Sequence, residues 1–336
     1  MQLLRAILLR LGTTAITLIG VALIVFFVIR VVPGNPIAMM LPPGATDADI
    51  ARLTALYGLD KSIPQQFLIW LSGVLHGDFG TSITNRQPVL ALVLSRLPAT
   101  LELSIMALVM AMIMGGFMAL TGTAQRGTAT EGAIDVTNGM ALSIPDFLWG
   151  LILILMFGVL MPIFHISGRV TPSLQLPFTS NFYLFESLFR LRFDLWFDIV
   201  NHMFLPALAL AIPLAAIIGQ LLKQSLKETM HLDYVTLART KGYSENHVIL
   251  REALPNAILP TLTLVGVQFT FLIGGTVIIE RLFSYEGLGN MAIDAVINRD
   301  LPLIQGIVIL FALIFTAVNL CVDLIYALLN PRLRHA

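Results

Sequence analysis

The sequence contains few charged residues, a single cysteine and no excess of charge of either sign. Charged residues make up 12% of its 336 residues, whereas soluble domains contain roughly a quarter. Lysine plus arginine and aspartate plus glutamate number 20 each, so the formal net charge is +0 and no basic surface for nucleic acid is predicted. Cys321 alone supports neither an intrachain disulfide nor a cysteine-based zinc site.

Sequence motifs of nucleotide-binding and catalytic sites are missing too. There is no Gly-x-x-x-x-Gly-Lys-Ser/Thr loop to cradle phosphates and no Gly-x-Ser-x-Gly nucleophile elbow. No two histidines stand at a metal-ligand spacing such as His-Glu-x-x-His, so we predict no metal site. The histidines are His76, His165, His202, His231, His247 and His335. We therefore expect a chain that is not an enzyme by itself and binds no cofactor.

Apolar residues, by contrast, are abundant. They make up 57% of the chain, and the mean hydropathy is +0.86. A membrane-spanning helix requires about 20 mostly apolar residues. The stretches that qualify are 11–29, 99–121, 139–161, 203–222, 257–279 and 303–329. The sequence therefore predicts an all-α integral membrane protein with six transmembrane helices in a lipid bilayer.

The distribution of lysine and arginine predicts the orientation of these spans, because cytoplasmic loops carry the excess of both. A modest bias places both termini in the cytoplasm. The predicted cytoplasmic segments are roughly 1–10, 123–138, 223–256 and 330–336. The chain is then organised as an N-terminus with the first span (1–32), a periplasmic segment (33–98), a core of five helices (99–329) and a cytoplasmic C-terminus (330–336).

Two longer segments, 33–98 and 163–200, are predicted to face the periplasm. The first contains Pro-Gly turns and predicted helices over Asp47–Tyr57 and Pro64–Leu75. The second is rich in phenylalanine. It is either an aromatic belt at the membrane interface or a docking surface for an external partner.

A polar island between the fourth and fifth predicted spans is the most informative stretch. Asp233 is a plausible N-cap of a short helix, and Arg239 and Lys241 near its end suit the helix dipole. Gly242 can take the left-handed conformation that stops the helix. A second short helix is predicted to follow and to end before Pro255.

The first of these short helices is predicted to present one apolar face. Tyr234, Leu237 and Ala238 share that face by their i, i+3, i+4 spacing. Two short helices joined at a glycine would make a compact knob that contacts something in water.

Three acidic residues lie within predicted spans, where charges are costly and often functional. Glu102 is one turn into the second span and either reaches the interface or borders a transport path. Asp146 follows Pro145 in the third span, where it either lines a water-filled cavity or pairs with another helix. Asp323 is near the end of the last span, where helix packing explains it better than transport.

The polar island resembles the "EAA" loop of ABC-importer membrane subunits. Gly242 and Leu254-Pro255 stand at the spacing of that motif and Ala238 is kept, whereas Thr236-Leu237 replaces the leading Glu-Ala and Glu252 stands where isoleucine is usual. The form Asp-Tyr-x-x-x-Ala-Arg-x-Lys-Gly is similar to the first permease of dipeptide and oligopeptide importers. Further matching blocks are 33–36, 57–60, 77–82, 96–103, 280–289 and 323–332.

This resemblance implies an ABC type I importer architecture and a division of labour. A second homologous permease would complete the path, two cytoplasmic ATPases would bind ATP and Mg, and a periplasmic binding protein would deliver a peptide substrate. The residues implied in ATPase coupling are Asp233, Tyr234, Leu237, Ala238, Arg239, Lys241, Gly242, Leu254 and Pro255.

Other functions stay open at this stage. Very similar subunits import nickel chelates, glutathione, opines or cationic peptides. A secondary transporter is a weaker alternative, because it would need more coupling residues inside the membrane than this chain offers.

Overall fold

The computed structural model describes residues 2–31, 46, 60–174 and 176–329, with the side chains of 1–11, 28–31 and 323–329 left undescribed. Within these ranges the regular structure is helical, apart from an isolated antiparallel bridge between Thr81 and Pro88. The helices are α1 (Gln2–Val31), α2 (Ile63–Leu75), α3 (Val89–Ala124), α4 (Ala129–Ser143), α5 (Asp146–Leu153), α6 (Tyr183–Phe189), α7 (Phe193–Thr229), α8 (Asp233–Thr240), α9 (Glu245–His247), α10 (Leu254–Leu282), α11 (Leu288–Ile297) and α12 (Leu301–Leu329). Two π-helical segments, Ile154–Leu160 and Val248–Ala253, continue α5 and precede α10.

Several predictions fall outside the described residues. The helix predicted over Asp47–Tyr57, the turns at 33–36 and 42–44, and the C-terminal tail 330–336 are among them. The side chain of Asp323 is another. The helix predicted over Pro64–Leu75 is present as α2.

The chain divides into two compact units, one formed by 1–97 with 291–317 and the other by 98–290 with 318–336. In the first unit, α1 packs on α2 through aromatic rings. The fully buried Phe26 ring lies 5.2 Å from Phe67 and 5.5 Å from Trp70. Asp300 fixes the turn after residue 77, since its carboxylate accepts hydrogen bonds from Ser82 Oγ at 2.6 Å and Thr84 N–H at 3.0 Å.

In the second unit, α7 is the central helix. Its apolar side chains are mostly buried, and they form the main core with residues of α3, α5 and α10. Small residues let α3 and α7 come close together: a Cβ built on Gly115 would lie 2.5 Å from the carbonyl oxygen of Ala215. Close approach at small residues is how membrane helices gain packing energy.

The helices that could cross a membrane agree with most of the predicted spans. Four of the described helices, and the bent pair α4–α5 taken as one span, have the necessary length and apolar character. Within α1, which has 30 residues, the apolar stretch with described side chains is the shorter Gly12–Phe27. The chain is therefore a multi-pass membrane protein. Four or five of its described helices meet these criteria for a span, and the span predicted in α1 stays a prediction.

The predicted third span is broken rather than continuous. Pro145 lacks an N–H and forces the preceding residue out of the helical region, and Ile144 accordingly has φ −102° and ψ 122°. The two helices on either side meet at an angle of 102°. The prediction of one continuous helix over 139–161 was therefore wrong, and α4 begins at Ala129, within the segment 123–138 that was predicted to be cytoplasmic.

Two other spans are longer than predicted. The apolar window placed their starts at Ala99 and Met203, whereas α3 begins at Val89 and α7 at Phe193. Hydropathy fails here because Arg96 and Pro98 interrupt the first apolar run and Asp194, Asp198 and His202 interrupt the second. Both helices thus extend well beyond their apolar windows.

Candidate functional site

The polar island folds as predicted into a short helix, α8, but its start differs from the prediction. Leu232 occupies the N-cap position with φ −76° and ψ 148°, and no side chain caps the helix. Asp233 is the first helical residue rather than the cap. Its carboxylate can still complement the positive end of the helix dipole from the first turn.

Gly242 ends α8 as predicted. It has φ +85°, and its N–H donates to the carbonyl of Arg239 at 2.9 Å while Tyr243 N–H donates to that of Ala238 at 3.4 Å. This pair of bonds is the Schellman motif, in which the residue after the C-cap takes the left-handed conformation. A Cβ at Gly242 would meet no atom within 4 Å, so its constraint is the backbone angle and not space.

The predicted apolar face of α8 is only partly buried. Val235 and Ala238 are 0% and 5% exposed, whereas Tyr234 and Leu237 are 38% and 55% exposed. Of the three residues predicted to share one apolar face, Ala238 is therefore buried, whereas Tyr234 and Leu237 are exposed. The buried face packs on apolar residues that α3, α7 and the chain leading into α10 contribute, which are Ala119, Leu222, Leu226, Met230, Val248, Ile249, Ala253 and Ala257.

Arg239 holds the turn after α8 in place. Its guanidinium donates to both carboxylate oxygens of Glu245, at 3.1 and 2.7 Å, and to the Met230 carbonyl at 3.3 Å. The hydrogen bonds to Glu245 raise the pKa of Arg239, so the guanidinium stays charged at physiological pH. The pairing of Arg239 with Glu245 was not predicted from the sequence, in which Arg239 was assigned to the helix dipole and to ATPase coupling.

The second short helix of the prediction is instead the beginning of a long one. Residues Glu245–Leu282 form one continuous helical element that passes through the π segment and Pro255. A π segment shifts the hydrogen-bond register by one residue, so the helix continues across the missing N–H of the proline. Asn256 on this helix donates to the Tyr234 hydroxyl at 2.8 Å. A side-chain hydrogen bond therefore joins α8 to α10.

A polar cleft of about 400 Å³ lies beside this knob. Its walls include Lys223, which bridges to Glu131 at 2.8 Å and to Asp135 at 2.7 Å. These ion pairs join α7 to α4 next to the side chains of Arg239 and Glu245. The knob thus adjoins four helices of its unit.

Two family profiles cover almost the whole chain. Residues 3–104 match the N-terminal profile of the membrane components of binding-protein-dependent transport systems. Residues 107–335 match the binding-protein-dependent transport system inner membrane component. The chain belongs to this family of inner membrane components.

Relatives cover the chain nearly end to end. It is similar to the dipeptide transport system permease protein DppB of Escherichia coli strain K12, with 38% identity and 99% of each chain covered. It is also similar to the glutathione transport system permease protein GsiC of Salmonella choleraesuis (33% identity, 95% of each chain) and to the oligopeptide transport system permease protein AppB of Bacillus subtilis (30%, 95% of each). The predicted resemblance to permeases of this kind is confirmed.

Two of the sequence blocks that resemble the permease family, 96–103 and 280–289, are in contact in the folded chain. Thr100, in the block 96–103, donates to the buried Glu280 carboxylate at 2.7 Å and accepts from Leu288 N–H at 2.8 Å. The other Glu280 oxygen accepts from Asn290 N–H at 3.0 Å. These side chains therefore fix the turn that leads from α10 into α11.

Glu102 is fully buried and lies well inside α3. Its carboxylate contacts Arg169 at 2.6 Å and accepts from Leu184 N–H at 2.9 Å. Arg169 in turn lies 3.9 Å from the centre of the Tyr183 ring. The placement favours a scaffold role that anchors segment 163–200. Arg169 was not among the predicted site residues, because no recognisable motif surrounds it.

Asp146 is the first residue of α5, directly after the break in the third span. It is half-buried, and its Oδ1 accepts from Phe147 N–H at 2.8 Å. No ion pair joins it to another helix among the described residues. A carboxylate in the first turn of the second half of a broken helix can stabilise the start of that half, and it can also line a polar path.

Proposed function

We propose that this inner membrane component is one permease of an ATP-driven importer and forms the translocation path for di- or oligopeptides. The observation that carries the proposal is the rigid knob, which exposes Tyr234 and Leu237 from a helix whose other face is buried in the chain's own core. Exposed apolar side chains on a fixed helix are the features of a docking element. A groove of a cytoplasmic ATPase subunit would receive them.

The proposed assembly contains a second homologous permease, two cytoplasmic ATPases that bind ATP and Mg, and a periplasmic binding protein. Both chain termini and the knob lie in the cytoplasm, as the lysine and arginine bias predicts. Closure of the ATPases on ATP would move α8 and, through Asn256 and the shared core, α10. Such a rigid-body motion switches the path between two arrangements.

The peptide cargo rests on the relatives named for dipeptides and oligopeptides. A tripeptide such as glutathione is the second candidate, because a relative is named for its transport. Nickel chelates, opines and cationic peptides are further cargoes that such a path could accept. Binding assays on the partner binding protein would distinguish them.

The complete assembly in proteoliposomes tests the proposal. We expect ATP hydrolysis to rise when the binding protein and a dipeptide are added, and this rise to require the present chain. The purified chain alone should hydrolyse no ATP. Uptake driven by an ion gradient without the ATPases would contradict the proposal and favour a secondary transporter.

A charge-removing variant tests Asp146 as a residue of the path. We expect Asp146→Asn to lower uptake of cationic peptides several-fold relative to acidic ones, because a carboxylate attracts the positive charge while the amide still accepts from Phe147 N–H. Asp78→Asn is the matched control, since Asp78 likewise accepts from a nearby backbone N–H, that of Gly80 at 2.9 Å. Equal uptake of all peptides, or loss of the complex, would make Asp146 a structural residue.

A further inference from the structure

Two histidines and an aspartate come together where α7 begins. One ligand atom from each of His165, Asp198 and His202 lies within 4.8 Å of the others, the one such group found among the described residues. The two imidazole rings are stacked, with centroids 4.1 Å apart and planes 5° from parallel. His202 is buried and His165 is exposed, so the group opens to solvent on one side.

Hydrogen bonds fix the tautomers of both histidines. His202 Nδ1 is 2.9 Å from the Asp198 carbonyl oxygen, and His165 Nδ1 is 2.7 Å from the Asn201 amide oxygen. Carbonyl oxygens only accept, so Nδ1 carries the hydrogen in each neutral ring and Nε2 keeps its lone pair. Metal-binding histidines are held in this way, by a hydrogen bond from the other ring nitrogen to a carbonyl or carboxylate.

The carboxylate of Asp198 is also held by neighbours. Thr171 donates to it twice, from its N–H at 2.9 Å and its hydroxyl at 2.7 Å. An ionised carboxylate has about four lone-pair positions, so two remain for another partner. Residues outside the cluster therefore orient His165 and the Asp198 carboxylate, and the backbone carbonyl of Asp198 orients His202.

We propose that His165, Asp198 and His202 bind a divalent transition-metal ion of the zinc type. Two imidazoles with one carboxylate suit such an ion and not magnesium or calcium, which prefer oxygen ligands. Bonds of about 2.1 Å require ligand atoms no more than about 4.2 Å apart. A ring nitrogen's lone pair lies in the plane of its ring, and the two stacked rings are nearly parallel, so the exposed His165 ring has to turn out of the stack to direct its Nε2 at the shared ion. Water would complete the coordination, and the bound ion would join segment 163–171 to α7.

This site was missed in the sequence because its members are far apart. The Asp198-x-x-x-His202 spacing places two ligands on one face of a helix, but His165 lies in a separate segment before it. The prediction of no metal site rested on spacing alone.

Cobalt and zinc binding to the full-length chain tests the proposal. The chain is purified with a tag other than polyhistidine, stripped with a chelator and titrated with Co²⁺. We expect visible absorption that saturates at one Co²⁺ per chain and disappears when Zn²⁺ is added. His165→Ala and Asp198→Asn should each weaken Zn²⁺ binding by about tenfold or more. Both are mild changes, since His165 is exposed and asparagine can still accept from Thr171.

His76→Ala is the matched control. The His76 ring is exposed and donates from Nδ1 to the Ser72 carbonyl at 2.7 Å, as His202 does to Asp198, but it belongs to no group of three ligands. We expect this variant to bind Zn²⁺ as the unaltered chain does. Absence of stoichiometric binding by the folded chain, or an equal loss in His76→Ala and His165→Ala, would overturn the proposal.

Discussion

Replacing Gly242 by aspartate is expected to lower ATP-driven uptake roughly fivefold or more while leaving the permease inserted and at its normal level in the membrane. At φ +85° a side chain costs about 1 kcal/mol, which corresponds to about a fivefold shift in an equilibrium. The strain falls on the Schellman turn that fixes α8 to the rest of the knob, and the new charge lies beside the proposed ATPase contact. Uptake and ATP hydrolysis in the reconstituted complex measure the effect.

Two further variants separate the causes. Gly242→Asn introduces no charge and tolerates the left-handed region, so it should retain most uptake. Gly127→Asp adds the same charge at a similar angle, φ +79°, with nothing within 4 Å of its Cβ, but in the turn between α3 and α4. Wild-type uptake by Gly242→Asp, or an equal loss in Gly127→Asp, would show that the coupling assignment of Gly242 is wrong.

The stop of α8 could be predicted because its cause is local. A glycine after a short helix with cationic residues near its end implies a left-handed C-terminal turn, and the structure confirms it at Gly242. The start was predicted less well. Asp233 has the chemistry of a cap, but the backbone turns one residue earlier, at Leu232, where no side chain signals it.

The ends of the spans were hard to predict for a different reason. Hydropathy detects lipid-facing residues, whereas polar residues at the ends of α3 and α7 are buried against other parts of the same chain. His202 is an example, since it is buried in α7 just before the predicted start of that span. The proline at position 145 indicated where the helix could break. The angle between the two halves could not be predicted, because it depends on how each half packs.

Long-range polar contacts were beyond the sequence altogether. Arg169 and Glu102 are 67 positions apart, and a single sequence gives no sign that they pair. A local pairing, that of Arg239 with Glu245, was not predicted either, because it depends on the reversal of the chain at Gly242. Residue types identified the candidates, and tertiary packing determined their partners.

The buried ion pair between Glu102 and Arg169 leads to the second large expected effect. Glu102→Gln should destabilise the chain by about 3–5 kcal/mol, because removing one partner leaves the other charge buried without compensation. The side chains are 0% and 5% exposed, so water cannot replace the lost partner. The glutamine oxygen can still accept from Leu184 N–H, which isolates the loss of charge. Thermal unfolding of the purified chain, followed by intrinsic fluorescence, measures the change.

A double variant of the buried pair and a single variant of an exposed ion pair serve as controls for this test. Glu102→Gln combined with Arg169→Met leaves no unpaired charge, so it should be less destabilised than the sum of the two single variants. Arg192→Gln is the control, since Arg192 and Asp194 form a similar pair at 2.7 Å but are 44% and 60% exposed, and the loss of an exposed pair should change stability much less. If Glu102→Gln unfolds no earlier than Arg192→Gln, Glu102 is not the anchor of segment 163–200, and its role as a residue of the transport path becomes the better explanation.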